Sequence, residues 1–171
     1  MVQGSIRLKR TRSCRLAGRS RSWLALSLLL ACCACAACTV RDEPEARTVL
    51  RRQIVGLARS LVGIPYVYGG SDIDGFDCSG FVFYVYDCFG IRLPRSAREQ
   101  AQLHGAISPR HAAPGDILVF KLKRDWHSAI YLGDGRFVHA PNPDGWVRFE
   151  MLNEYWLLRL RAVVSVLGND R

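Results

Sequence analysis

The sequence holds few cysteines in the part that is expected to fold. Five of its seven cysteines lie within residues 1–38, and only Cys78 and Cys88 follow them. These two stand ten residues apart on one predicted helix, whose rise separates them by about 15 Å, too far for a disulfide. We therefore predict no internal disulfide, which leaves the Cys78 thiol unbridged and makes Cys88 a small core residue.

Acidic residues are absent from residues 1–31, which carry seven basic side chains. The remaining 140 residues carry 17 basic and 15 acidic side chains, so the net charge of +9 belongs mainly to the N-terminal segment. Without a concentrated basic surface, the folded part has no electrostatic footprint for a polyanion. Nucleic acid is therefore excluded as an expected partner.

The apolar run at residues 23–31 is too short for a comfortable transmembrane helix. It follows a basic stretch and precedes small residues, which is typical of a secretion signal peptide over residues 1–31. Leu29-Leu30-Ala31-Cys32 resembles a bacterial lipobox. The pattern predicts that Cys32 becomes the lipid-modified N-terminus of a tether over residues 32–46.

The other cysteines near the end of this leader allow a second interpretation. Cys38, preceded by Ala36-Ala37, is the alternative lipidation site. A metal cluster would need a histidine or a second spaced pair to complete it, and none elsewhere in the sequence stands at a suitable spacing. We therefore expect no metal site.

Apolar periodicity divides the rest of the chain into helices followed by strands. Helices are predicted over residues 46–61, 78–89 and 94–104; the second is apolar nearly all round and should be buried. Ser96 and Glu99 have capping-box spacing at the start of the third. Helices first and strands second predict an α+β domain over residues 47–168, with N-terminal helices packed on an antiparallel β-sheet. The predicted strands are residues 116–121, 128–133, 136–141, 147–152 and 161–167.

Cys78 carries the clearest chemical signal in the sequence. It follows the glycine-rich turn Tyr68-Gly69-Gly70 and stands on the first turn of the predicted buried helix. The backbone N–H groups and the helix dipole at that position are expected to favour the thiolate, a strong nucleophile. His127 and His139 lie far downstream, and a cysteine with distant histidines is the layout of a cysteine hydrolase.

The connection between His127 and His139 decides whether their rings can meet. A two-residue loop would place them on opposite faces of the sheet, because side chains alternate along a strand. A three-residue loop at residues 133–135 would pair Ala129 with His139 and bring both rings to one face as diagonal neighbours. We therefore predict the three-residue loop, with Gly135 left-handed in a G1-type bulge.

Five motifs occur in order along the chain. They are Pro65-Tyr66-Val67-Tyr68-Gly69-Gly70, Asp77-Cys78-Ser79-Gly80-Phe81, Leu93-Pro94-Arg95-Ser96, Pro114-Gly115-Asp116, and the segment from His127 through Ile130-Tyr131-Leu132-Gly133 to Phe137-Val138-His139-Ala140. Together they strongly resemble the NlpC family of bacterial cell-wall cysteine peptidases, over about residues 47–167. The resemblance implies a papain-like α+β core.

The resemblance also assigns roles to individual residues. It implies that Cys78 is the nucleophile, that His127 is the base and that His139 orients His127. It further implies that Tyr66 helps to hold the oxyanion and that Asp77 and Ser79 line the substrate groove, where Asp77 contacts the stem-peptide amine. Two simpler interpretations stay open: Tyr66 as plain packing, and Asp77 as only the cap of the Cys78 helix.

The function implied by the resemblance is hydrolysis of peptidoglycan stem peptides, without metal or cofactor. The expected protein is a monomer, lipid-anchored to the outer membrane and facing the periplasm. The alternatives are a catalytically silent wall-binding protein, or an amidase or acyltransferase, on the same scaffold. Trp126, where the family has a small residue, is expected to narrow the groove; Trp146, Tyr155 and Trp156 are expected to be packing or groove walls.

Overall fold

A computed structural model describes residues 43–141 and 145–168 of the chain. The helices are α1 (Glu43–Ser60), α2 (Cys78–Asp87), α3 (Ala97–Gln100) and α4 (Glu154–Leu157), and a 3-10 turn covers Pro109–His111. The strands are β1 (Ser71–Asp72), β2 (Gly75–Phe76), β3 (Ala106–Ile107), β4 (Ile117–Lys121), β5 (Trp126–Gly133), β6 (Arg136–His139), β7 (Arg148–Met151) and β8 (Leu160–Val164). The predicted signal peptide and both candidate lipidation sites, Cys32 and Cys38, lie outside the described residues.

Six strands of the described chain form one antiparallel sheet, in the order β3-β8-β4-β5-β6-β7. The short strands β1 and β2 pair with each other in a separate hairpin. Helices α1 and α2 precede the sheet in the chain and both contact β5. The predicted α+β class, with N-terminal helices on an antiparallel sheet, is confirmed.

Helix α2 lies at the centre of the core, as its apolar sequence predicts. Phe81, Val82, Val85 and Tyr86 are each 0% exposed and belong to one apolar cluster with residues of α1 and the sheet. Fully burying one large apolar side chain contributes about 1.5–3 kcal/mol. The packing therefore fixes α2 firmly, and with it the position of Cys78 at its first turn.

The sheet is covered on both faces. Along β4 the side chains alternate between two apolar clusters, with Ile117 and Val119 beneath the helices and Leu118 and Phe120 on the other face. This alternation is the ordinary consequence of the two-residue period of a strand.

Arg51 ties helix α1 to the loops at one end of the sheet. Its guanidinium donates to the Pro114 carbonyl at 2.9 Å, to Asp116 Oδ1 at 2.8 Å, to Ser165 Oγ at 2.9 Å and to the Gly168 carbonyl at 2.7 Å. Because Asp116 is buried, this ion pair needs such hydrogen bonds to offset its desolvation.

Among the helices that the structure describes, none has both the length and the apolarity needed to cross a membrane.

The boundaries of several elements differ from the sequence prediction. The five predicted strands correspond to β4 to β8, with ends that move by no more than three residues. The third helix is much shorter than predicted: it ends at Gln100, and the chain then turns through Gly105, whose φ is +98°. The predicted capping box of Ser96 and Glu99 is present. The short elements β1, β2, β3 and α4 contain too few residues to show a period in the sequence.

The loop between β5 and β6 also differs from the prediction. Gly133 pairs with Arg136, so the connection is the two-residue loop Asp134-Gly135 and not a three-residue one. The φ values of Asp134 and Gly135 are 52° and 68°, and a type I′ hairpin requires positive φ at both central positions. Gly135 is left-handed, as predicted.

The predicted register near the histidines is nevertheless present. Ile130 pairs with Val138 and Tyr131 with Phe137, and the pairing shifts by one residue at Leu132 before the loop. A bulge therefore supplies the extra residue that the prediction assigned to the loop. It brings His127 and His139 to the same face of the sheet.

Candidate active site

An open cleft with a volume of about 1130 Å³ collects the residues that the sequence singles out. Its walls come from the start of α2, the start of β5, the end of β6, strand β7 and helix α4. All six predicted site residues line it: Tyr66, Asp77, Cys78, Ser79, His127 and His139. Their convergence from four separate segments of the chain makes this cleft the candidate active site.

Cys78 is the first residue of α2 and is partly buried at the cleft. Its thiol donates to the Trp126 carbonyl across 3.9 Å. Burial raises the pKa of Cys78, although the backbone N–H groups of Ser128 and Ser79 act to lower it. This direction corrects the expectation of a preformed thiolate: desolvation at this site outweighs the helix N-terminus.

His127 and His139 form a hydrogen-bonded pair. Nε2 of His127 lies 2.7 Å from Nδ1 of His139, and the two ring planes are 88° apart. The rings are 5% and 0% exposed. Burial lowers the pKa of His127 to about 4, and burial together with the charges of His127 and Arg148 lowers the pKa of His139 to about 2. Both rings are therefore neutral at pH 7.

The hydrogen bond determines which ring nitrogens remain for chemistry. Because Nε2 of His127 faces His139, its Nδ1 is the ring nitrogen that this hydrogen bond leaves available for proton exchange. In the tautomer with a proton on Nε2 of His127, that N–H donates a hydrogen bond to Nδ1 of His139. The proton of His139 is then on its own Nε2. That Nε2 atom is buried and has no hydrogen-bond partner among the described residues.

Asp77 is held in place from three directions. Its carboxylate caps α2 by accepting from the Gly80 N–H at 2.6 Å, and it accepts from Ser79 Oγ at 3.1 Å. Arg95 binds it through two nitrogens at 2.9 and 2.7 Å. Burial alone would raise the pKa of Asp77, but these hydrogen bonds and the Arg95 charge lower it overall.

Arg95 is a site residue to which the sequence analysis assigned no role. Besides Asp77, its guanidinium donates to Ser79 Oγ at 3.2 Å and to the Gly70 carbonyl at 3.0 Å. It thus joins the glycine-rich turn to the start of α2. Its motif, Leu93-Pro94-Arg95-Ser96, marked the position, but the sequence alone could not reveal the partners of the side chain.

Gly80 lets the glycine-rich turn approach the helix closely. A Cβ atom at this position would lie 2.0 Å from the Gly70 carbonyl oxygen and 2.9 Å from Arg95 Nη2. No side chain fits there without moving backbone. The glycine after Cys78-Ser79 is therefore a packing requirement of the site.

Aromatic side chains form much of the cleft wall. Desolvation by burial, with the nearby Cys78 and Asp77, raises the pKa of Tyr66 to about 12, so its hydroxyl stays protonated at neutral pH. Trp156 stacks on His127, with ring centroids 5.7 Å apart and planes 30° apart. Trp126, partly buried, lines the cleft beside the sulfur. Trp126 and Trp156 are thus wall residues, as expected, and Trp146 is outside the lining.

A thiol can attack a carbonyl when an imidazole takes its proton and a further group orients that imidazole. This site contains a sulfur nucleophile and two imidazoles that can fill those two roles. Within the described residues, no three His, Cys, Asp or Glu side chains are placed to share a metal ion. Fold and site together define an α+β protein with a cysteine and a histidine pair in one open cleft.

The chain belongs to the NlpC/P60 family, whose model matches residues 63–165. It is 36% identical over 115 residues to the gamma-DL-glutamyl hydrolase of Bacillus subtilis (strain 168), covering 64% of this chain and 28% of that protein. It is also 36% identical over 110 residues to the murein DD-endopeptidase MepS/murein LD-carboxypeptidase of Escherichia coli (strain K12), covering 63% and 58%. The chain thus spans less than two thirds of the length of these relatives.

A solved structure gives the same result for the fold. A protein from Staphylococcus aureus subsp. aureus Mu50, described as similar to lipoprotein, NLP/P60 family, superposes with a TM-score of 0.62 and 34% sequence identity. The match covers 80% of this chain and 46% of that one. The predicted papain-like fold is confirmed at the level of the family.

Proposed function

We propose that this protein is a cysteine peptidase that hydrolyses the stem peptides of bacterial peptidoglycan. The observation that carries the proposal is the placement of Cys78 at the start of α2, in one cleft with a His127 ring that is hydrogen bonded to His139. Membership of the NlpC/P60 family supports a cell-wall substrate, as do relatives named a gamma-DL-glutamyl hydrolase and a murein DD-endopeptidase.

The first step is formation of an acyl-enzyme. Since the pKa of Cys78 is raised and that of His127 is lowered, the resting pair is a thiol and a neutral imidazole. As Sγ attacks the substrate carbonyl carbon, the thiol proton moves to Nδ1 of His127. The C–N bond then breaks, the amine leaves with that proton, and the acyl group remains on Sγ.

The tetrahedral oxyanion needs hydrogen-bond donors at the site of attack. Backbone N–H groups at the start of α2 supply one source, and the Tyr66 hydroxyl supplies another because its pKa of about 12 keeps it protonated. Both lie in the cleft that holds Cys78. Removing one such donor in comparable sites lowers kcat by about 10²–10³-fold.

The second step releases the product acid. Water attacks the thioester while His127 accepts its proton, and the returning proton restores the Cys78 thiol. Nδ1 of His139 accepts a hydrogen bond from the Nε2–H group of His127 and so stabilises the imidazolium that forms in both steps. Every group in this cycle comes from one chain, which supports action as a monomer.

Asp77 and Ser79 are proposed to line the substrate groove beside the sulfur. Both border the cleft, but both oxygens of Asp77 already accept from Arg95. A substrate amine would therefore meet an ion pair and not an isolated carboxylate. The cap interpretation of Asp77 is compatible with this role, because the cap uses only the Gly80 N–H.

The proposal is tested with purified sacculi and matched cysteine variants. Cys78→Ala and His127→Ala should abolish the release of muropeptide fragments, while Cys88→Ala, at the other end of α2, should release them at the rate of the unmodified protein. Mass spectrometry of the products identifies the bond that is cut. Unchanged release by Cys78→Ala would reject the proposal, and sacculi left intact by the unmodified protein would favour a silent wall-binding protein.

The same product analysis separates the other reactions on this scaffold. A peptidase adds water between two amino acids, an amidase frees the whole stem peptide from the sugar, and an acyltransferase joins the acyl group to an added amine. Adding an amine nucleophile such as glycine amide should not redirect the products of a hydrolase. An amine adduct as the main product would support the acyltransferase.

We further propose that residues 1–31 are a signal peptide and that Cys32 carries lipid, with Cys38 as the alternative, so that the domain over residues 47–168 faces the periplasm from the outer membrane. The lipobox pattern supports this, as does the Staphylococcus aureus neighbour described as similar to lipoprotein. Metabolic labelling with a clickable fatty acid should mark the protein and its Cys38→Ala variant but not Cys32→Ala. If Cys32→Ala were labelled and Cys38→Ala were not, the lipidated residue would be Cys38.

A further inference from the structure

Trp156 makes ring contacts with both histidines of the site. Its indole is stacked on His127, with 5.7 Å between centroids and 30° between planes, and stands edge-to-face with His139 at 5.5 Å and 89°. The His127 and His139 rings are themselves 5.0 Å apart. The three rings therefore form a nearly equilateral triangle.

The indole is itself held by rigid neighbours. Phe120 and Phe137 contact it from the sheet, at 4.8 and 5.2 Å between centroids. Oδ1 of Asn153 caps the short helix α4 by accepting from the backbone N–H of Trp156 at 3.3 Å. Trp156 is thus fixed by packing on one side and by a helix cap on the other.

The imidazole pair lacks a polar anchor on its outer side. Nε2 of His139 is buried without a hydrogen-bond partner among the described residues, so no polar group there sets the angle of its ring. His127 must also keep Nε2 toward His139, so that Nδ1 stays available for proton exchange, and a flip of its ring would exchange the two nitrogens. Orientation must therefore come from the packing around the rings, and among the aromatic side chains that the structure describes Trp156 has ring contacts with both.

We propose that Trp156 is a positioning residue that holds His127 and His139 in their perpendicular, hydrogen-bonded arrangement. This inference rests on the proposed function, because the arrangement matters only if His127 exchanges protons with Cys78. Trp156 acts through the two imidazoles, which its ring contacts, and its indole neither attacks the carbonyl nor transfers a proton. Small displacements of a catalytic group cost large factors in rate, so a loosened ring should lower kcat with little effect on KM.

Trp156 also keeps water away from His127. Burial is what lowers the pKa of His127 to about 4, and the indole covers one face of the ring. Stacking of an imidazolium on an indole acts in the opposite direction, and for a His127 ring that is 5% exposed we expect burial to prevail. Substitution of Trp156 leaves every charged group of the cleft in place: Asp77, Arg95, Arg98, Asp125, Arg148 and Glu150.

The first measurement does not depend on activity. In the Cys78→Ala protein, NMR titration of the imidazole resonances gives the pKa of each histidine, and Trp156→Met should raise the pKa of His127 by about one unit or more. Methionine adapts to irregular spaces and so keeps the volume filled without a ring. Trp146→Met is the matched control, because Trp146 is 56% exposed and lies outside the cleft; it should leave the His127 titration unchanged.

The second measurement is steady-state kinetics on a defined disaccharide-tetrapeptide dimer. Trp156→Met should lower kcat about tenfold or more at nearly constant KM, and Trp156→Phe, which keeps a ring on His127, should restore most of it. The acid limb of the pH–rate profile should move upward with the His127 pKa in Trp156→Met. Trp146→Met should have the kcat, the KM and the acid limb of the unmodified protein.

Three outcomes decide the inference. A His127 titration that moves no more in Trp156→Met than in Trp146→Met would overturn it, and so would a loss that falls on KM alone, since that would make Trp156 a substrate contact. Should Trp156→Met not fold, an unmoved His127 pKa in Trp156→Leu, which also removes the ring, would overturn it in the same way. An unmodified protein that cuts no muropeptide would reject the proposed function, while the NMR titrations would still decide the role of Trp156.

Discussion

Nε2 of His127 and Nδ1 of His139 are 2.7 Å apart, although the two residues sit on different strands whose loop alone would send them to opposite faces. The bulge at Leu132 restores the parity, and the two rings meet on the face that also carries Phe137 and Trp156. The site thus depends on one hydrogen bond whose partners are both imidazoles.

That bond predicts a graded response to substitution of His139. His139→Ala should lower kcat on a muropeptide by roughly 10²–10⁴-fold, because His127 loses the group that fixes its tautomer and orientation. His139→Asn should recover part of the rate, since its amide oxygen can accept from Nε2 of His127. The exposed His104 offers the control His104→Ala. Equal rates for the Ala and Asn variants would contradict an orienting hydrogen bond.

The buried imidazoles predict acid sensitivity of the fold. The pKa of His127 falls from 6.5 to about 4 on folding, so between these values the unfolded chain binds more protons. The contribution to stability is complete above about pH 6.5 and is lost as the pH falls toward 4, by about 3 kcal/mol. His139 acts in the same direction.

Urea unfolding at pH 7.5 and pH 4.5 measures this effect. The difference in unfolding free energy between the two pH values should be about 2–3 kcal/mol smaller in His127→Asn than in the unmodified protein. His104→Asn should leave the difference unchanged. If His127→Asn also left it unchanged, His127 would have to be protonated in the folded protein.

Arg95 is predicted to stabilise the start of α2. Arg95→Met removes both nitrogens that bind Asp77 and the hydrogen bond to the Gly70 carbonyl. Because the guanidinium side chain is 38% exposed, solvent screens the pair, and the loss should be about 1–2 kcal/mol. Chemical denaturation measures it, with Arg92→Met at an exposed position as the control. Equal stability of the two variants would mean that Asp77 holds the helix start without Arg95.

Two glycines predict opposite effects of the same substitution. Gly80→Ala forces a Cβ to within 2.0 Å of the Gly70 carbonyl oxygen, so backbone must move and stability should fall by more than about 2 kcal/mol. Gly56 lies exposed inside α1 with no atom within 4 Å of its Cβ position, so Gly56→Ala should add about 0.5–1 kcal/mol. Thermal unfolding of both variants provides the comparison. A stable Gly80→Ala protein would contradict the close approach at the start of α2.

Much of the site could be predicted from the sequence because its chemistry is carried by residue types at fixed spacing. The position of Cys78 on the first turn of α2 followed from the change from a glycine-rich loop to an apolar run. The meeting of His127 and His139 was predicted from the resemblance, and strand parity only limited the connections that would allow it. The predicted three-residue loop was wrong, but the bulge gives the same register.

The parts that could not be predicted depend on contacts between distant segments. The prediction of a Cys78 thiolate was wrong, because burial raises the pKa of this thiol. A helix N-terminus can be predicted from the sequence, whereas the burial of one sulfur cannot. Arg95 and Trp156 share this difficulty: their motifs were visible, but the site residues that they contact lie 16 or more residues away in the chain. Helix α3 ends at Gln100 because the chain turns there. The apolar period of the sequence does not predict this end.

The bulge at Leu132 also constrains how this chain can change in length. Every side chain on β6 inherits its direction from the count of residues between Tyr131 and Arg136. Loss of the bulge at constant length would exchange the roles of Val138 and His139, presenting a valine to His127 and an imidazole to the helices. Deletion of one residue there removes the bulge but leaves Tyr131 paired with Phe137, so His139 keeps its face. The hairpin can therefore be shortened by one residue without losing the second imidazole, whereas a regular ladder at its present length would remove that imidazole from the site.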